Sequence, residues 1–177
     1  MNLLRIICKI VGGILVFSGG CGCGIWMAGR KKKRINILRE LEQVLIFLYG
    51  EIEYAGADIV EIFQRLAEKT DYFQSFFREM EMETGGDQEE TLYRLWDRKA
   101  EQSPAARWMD KEDLMLWKET GKHLGTLDRQ TQLQTLQVLQ KRLGRQLAEA
   151  EMQYDSQARV CRLVGITGGI FTVILLL

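Results

Sequence analysis

LRELEQVLIFLYGEIEYA, residues 38–55, places Leu38, Leu41, Leu45, Leu48, Ile52 and Ala55 at alternating spacings of three and four. On a helix that spacing draws one apolar stripe, a heptad seam of under three repeats. So short a seam suits an antiparallel helix pair inside a domain better than a long coiled coil. A second seam answers it. From Asp128 the chain reads DRQTQLQTLQVLQKRLGRQLAEAEMQYDSQARVCR, with Leu133, Leu136, Leu139 or Gln140, Leu143, Leu147, Ala150 and Tyr154 on one face. The glutamines beside that face are helix-compatible, and the regular leucines argue for order rather than low complexity.

The sequence between the seams is helical in pattern, with one proline and little alternation of the β type. Gly56 breaks the first helix, and Asp58 with Glu61 is a start signal for the next, carrying Ile59, Ile62, Phe63 and Leu66. Tyr72, Phe73, Phe76, Phe77 and Met80 crowd one side of a third helix and mark the centre of the core. Thr84-Gly85-Gly86 is a loop, and Asp87 with Glu90 starts a helix bearing Leu92, Leu95 and Trp96. Ser103-Pro104 opens a short turn through Trp108, and Asp110 caps a helix with Leu114, Trp117 and Leu124. The expected soluble part is a bundle of about six helices.

The ends of the chain differ from its middle. Ile10 to Gly29 is uncharged over 20 residues, the length of helix that crosses a bilayer core. It lacks the short apolar core and cleavage site of a signal peptide, and Ser18-Gly19-Gly20 does not make Cys21 a lipoprotein site. Leu163 to Leu177 is also uncharged, but 15 helical residues rise only about 22 Å, which fits a short span or a membrane-embedded plug. The expected layout is a transmembrane segment in 1–29, a cytoplasmic helical bundle in 30–162, and a transmembrane or embedded segment in 163–177. Arg30, Lys31, Lys32, Lys33 and Arg34 outweigh Arg5 and Lys9, which puts the bundle in the cytoplasm and the cluster against lipid head groups rather than nucleic acid. The formal net charge is zero, and no second basic face accompanies the cluster. Cys8, Cys21, Cys23 and Cys161 all lie in or beside the apolar ends, without metal or redox spacing.

Chemistry is sparse. There is no P-loop, no zinc-protease motif and no nucleophile elbow, and Glu40/Glu42 and Glu51/Glu53 point to different helix faces. No enzyme activity, cofactor or metal is expected. GKHLGTLDRQTQ, residues 121–132, holds the single histidine, and its glycines follow no strand, so it is a corner between helices rather than a phosphate loop. Gly125 is expected to end one helix, with His123 in its last turn and Asp128 capping the next.

With these stretches in place the chain resembles the stage III sporulation protein AB family along essentially its whole length. Gly50-Glu51-Ile52-Glu53-Tyr54 and Leu124-Gly125-Thr126-Leu127-Asp128 carry the resemblance most specifically, and residues 82–108 carry none of it. The resemblance implies a mother-cell membrane protein of endospore formers, part of the complex joining mother cell and forespore. It also implies a bundle like the cytoplasmic domain of secretion and pilus platform proteins, docking a cytoplasmic ATPase and other channel-complex proteins. Glu51, Glu53 and Asp58 at one helix junction and His123, Asp128 and Arg129 at another are the candidate partner contacts, as exposed corners. The seams would serve self-association equally well. The competing reading is a membrane-tethered regulatory domain that senses a small ligand in its aromatic core.

Overall fold

The computed structural model describes residues 29–56, 58–84, 91–122, 124 and 128–176. Among them there are six α-helices and no strand, the all-α class that the periodicity requires. Helix α1 covers residues 29–50 and passes into a π-helical turn, Glu51–Ala55. Then come α2 (Ile59–Lys69), α3 (Gln74–Thr84), α4 (Leu92–Gln102), a 3-10 turn (Pro104–Trp108), α5 (Lys111–Lys122) and α6 (Arg129–Leu176). One compact unit spans Lys33–Glu149; outside it the described residues are the start of α1 and the remainder of α6.

Within that unit the centres of the two leucine seams are buried, while Ile52, Leu133 and Leu147 are half-buried. Leu38, Leu41, Leu45 and Leu48 are fully buried, and so are Leu136, Leu139 and Leu143 on α6. Gln137 Nε2 donates to Tyr49 Oη at 3.1 Å, while Arg129 reaches the carbonyl of Ile52, so α1 and α6 run antiparallel. The face of α1 is wider than one seam: Ile35, Ile37 and Val44 are buried too. A helix covered on more than one side shows a broader stripe than a two-helix seam needs.

The short helices fill the space beside them, with α2 on α3, α3 on α4 and α4 on α5. Their shared core is aromatic. Phe63, Phe73, Phe76, Phe77, Trp96 and Trp117 are all buried, with ring centroids 4.5 Å apart for the Trp96–Trp117 pair and 4.9 Å for Phe76 against each tryptophan. Trp96 Nε1 donates to the carbonyl of Trp117 at 2.9 Å, which satisfies one indole inside the core. The expected stripe over residues 72–80 is thus the centre of the domain.

Caps set the boundaries. Ser103 Oγ accepts from the Ala105 N–H at 3.2 Å ahead of Pro104, as the Ser-Pro pair predicts. The start of α3 is capped from another helix: Glu40 Oε1 accepts from the N–H groups of Tyr72 at 2.7 Å and Phe73 at 3.1 Å. Asp110 precedes α5, but its carboxylate is engaged by Arg34, and it is Asp113 that accepts the Asp110 N–H at 3.0 Å.

The apolar ends are the point of difference. Helix α6 does run on through the C-terminal stretch to Leu176, as expected. Yet among the described residues no helix is long and apolar enough to cross a membrane. For the C-terminal segment the reason is length, since the uncharged part of α6 falls short of a ~30 Å hydrocarbon core and charged residues precede it. The N-terminal run before Gly29, the loop at Gly85-Gly86 with Asp87 and Glu90, and Gly125 lie outside the described residues.

Candidate partner interface

The site begins where α1 changes winding. After Gly50 the chain makes a π turn, and Gly56, at φ 57°, donates its N–H to the Glu51 carbonyl at 3.2 Å. Such a left-handed position favours glycine, which has no Cβ to clash. Single π turns inside or at the end of α-helices are uncommon and recur at functional sites. The side chains on this turn go different ways. Glu51 is only 9% exposed and its carboxylate accepts from Arg65 Nη1 at 3.0 and 3.2 Å, while Arg65 Nη2 reaches Glu61 at 2.6 Å. Both carboxylates, Glu61 foremost, raise the Arg65 pKa. Tyr54, by contrast, is 82% exposed, and its hydrogen bond with Glu53 pushes the phenol up.

Arg129 closes the turn from the other side. Its Nε donates to the Ile52 carbonyl at 3.0 Å and its Nη2 to the Glu53 carbonyl, so a guanidinium satisfies carbonyls that the end of a helix leaves open. Beside it Asp128 caps α6: Oδ1 accepts from the Thr131 N–H at 3.1 Å and Oδ2 from the Thr131 hydroxyl at 2.6 Å. The Thr131 hydroxyl first and its N–H second hold the Asp128 carboxyl below the usual carboxylate range. At the start of α2, Asp58 accepts from the Ile59 N–H at 2.7 Å.

The two junctions expected as separate corners are therefore one. Arg129 brings Glu53, Tyr54 and the start of α6 together, and an open groove lined by Tyr49, Arg129, Gln130, Leu133, Gln134 and Gln137 continues from it. Asp58 and Asp128 are exposed caps. Glu51 is not an exposed corner, because its charge is turned inward to Arg65. Arg129 is exposed but engaged with backbone, and His123 lies outside the described residues. Sequence reasoning missed Tyr49, Gln137 and Arg65; only the position of Arg129, directly after a capping aspartate, hinted at a role at the corner.

The basic cluster also divides. Arg34 Nε and Nη2 donate to Asp113 at 2.7 and 3.1 Å, and Nη1 stands 2.6 Å from Asp110 Oδ2. The Asp113 side chain is fully buried and that of Arg34 is 19% exposed, so this is a two-pronged clamp inside the fold rather than a lipid contact. The Asp113 hydrogen bond raises the Arg34 pKa, with burial opposing it. Lys33 Nζ lies 4.3 Å from the centroid of the Trp108 ring. Lys31 is half-buried, while Arg30 and Lys32 are exposed. The expected five-residue lipid-facing cluster thus loses Arg34 to the core, because a planar guanidinium is the partner that a buried carboxylate requires.

Among the described residues no three His, Cys, Asp or Glu side chains stand together as a metal-binding group. Fold and corner define a small all-helical domain in which guanidiniums and carboxylates hold helix ends in place. The chain belongs to the stage III sporulation protein AB family, whose model matches residues 9–177. It is a sporulation protein, as its two most specific stretches imply, and Arg129, the residue after the second stretch, bonds to the backbone of the first at Ile52 and Glu53. No curated protein and no solved structure matches the chain.

Proposed function

We propose that this protein is a non-catalytic, membrane-tethered platform component of the mother cell to forespore complex, and that the corner around Arg129 docks its cytoplasmic ATPase. The carrying observation is that junction: Arg129 holds the π turn so that Tyr54 stands out from the domain, with the half-buried Glu53 bonded beside it. Position supports it as well: within the compact unit the corner closes α1 at the end opposite Lys33. The tether rests on the uncharged stretch Ile10 to Gly29, whose length fits a bilayer core.

Exposed, rigid aromatic residues beside charged groups are common anchors of interfaces. Binding of the full chain to the sporulation ATPase, measured in detergent or nanodiscs, should weaken about tenfold or more in Tyr54→Ala and in Glu53→Lys, at unchanged helicity. Undiminished binding in both variants sinks this docking surface. Against a ligand-sensing role stands the aromatic core, whose six rings pack on one another.

A further inference from the structure

We infer that the end of the bundle carrying Lys33, Arg107, Trp108 and Lys111 rests on anionic lipid head groups, an inference that depends on the membrane tether proposed above. The uncharged run ends at Gly29, and Lys33 follows it by four residues, about 6 Å of helix rise. Whatever packs on Lys33 is thereby carried toward the head-group layer. The amine of Lys33 lies over the Trp108 ring at 4.3 Å, and the neighbouring Arg34 is bonded to Asp110 and Asp113. The 3-10 turn and the first turn of α5 are therefore fixed to the part of α1 nearest the tether.

These two turns bring cations of their own. Arg107 and Lys111 are exposed, and among the described residues neither takes part in an ion pair. Trp108 is half-buried, an amphipathic ring of the kind enriched where bilayer meets water. The acidic groups here are Asp110, held by Arg34, Asp113, buried under the same guanidinium, and Glu112, which is exposed. The surface thus offers Lys33, Arg107 and Lys111 to phosphate groups, residues that the sequence separates by more than seventy positions and the Arg34 clamp unites. Each such cation near an anionic surface strengthens association about fivefold.

The test is hydrogen exchange on the full chain in nanodiscs of phosphatidylcholine alone and with phosphatidylglycerol added. Amides of residues 105–111 should exchange about fivefold or more slowly in the anionic discs. Arg107→Gln with Lys111→Gln should erase that difference, and Arg107→Lys with Lys111→Arg should keep it. Equal exchange of the native chain in both lipids, or a difference that survives neutralisation, overturns the inference. Release of the chain from neutral discs by a salt wash would instead overturn the tether itself; retention with equal exchange leaves the tether standing and removes only this surface.

Discussion

At Gly121 the ring of Trp96 lies so close to α5 that a Cβ built there would stand 2.1 Å from Trp96 Cγ and 2.3 Å from Cδ1. The obstacle is a rigid indole locked among four other rings, not the loose end of a flexible chain. Two effects compete in Gly121→Ala. Alanine gains about 1 kcal/mol in helix propensity, whereas forcing extra volume into a packed core costs about 1–3 kcal/mol and more when a ring has to move. The clash should win. We expect the urea midpoint to fall with an unchanged slope, and Trp96 fluorescence to report a displaced ring. A variant as stable as the parent would show that the core has room to yield. Sequence could place this glycine only in a corner between helices; that it is required by a tryptophan 25 positions away is a tertiary fact, invisible to local patterning.

Among the elements, the long ones and the locally capped joints were legible, and the joints closed from another helix were not. The centres of the seams, Leu38 to Leu48 on α1 and Leu136 to Leu143 on α6, bury as written because period alone decides which face of a helix is apolar, whereas Ile52, Leu133, Leu147 and Tyr154 are half-buried. Ser103-Pro104 and Asp128 were legible for a similar reason, since capping uses neighbours in sequence. The π turn, the Glu40 cap on α3 and the Arg34–Asp113 clamp depend on partners more than thirty residues apart, so no window of sequence contains them. The same limit blurred the site: Glu51 was legible as charged and close to a break, but Arg65, which turns it inward, lies on another helix. Arg129 offers a test at this scale. In Arg129→Gln the carbonyls of Ile52 and Glu53 lose their donors while the leucine seam remains, so amides 51–56 should exchange faster and those of α2 to α5 should not change. Uniformly faster exchange would mean that the cap supports the whole domain rather than the turn.

For the whole molecule the question is whether the bundle needs the apolar ends in order to fold. Every strong tertiary contact described above falls inside Lys33–Glu149: the aromatic core, the Arg34 clamp, the Glu40 cap and the Arg129 closure. The chain starts that unit at Lys33, one residue before Arg34, so a fragment of residues 33–149 keeps the clamp that neutralises the buried Asp113. Removing one partner of such a pair costs about 3–5 kcal/mol, enough to unfold a small domain, so the placing of this boundary matters. The fragment should be helical, unfold in one cooperative transition and no longer float with vesicles of neutral phosphatidylcholine, whereas the same fragment begun at Ile35 should be markedly less stable. Circular dichroism with urea titration and a flotation assay read both outcomes. A 33–149 fragment that fails to unfold cooperatively would place part of the folding free energy in the apolar ends, and the bundle would then have to be regarded as completed by those ends rather than as folding without them.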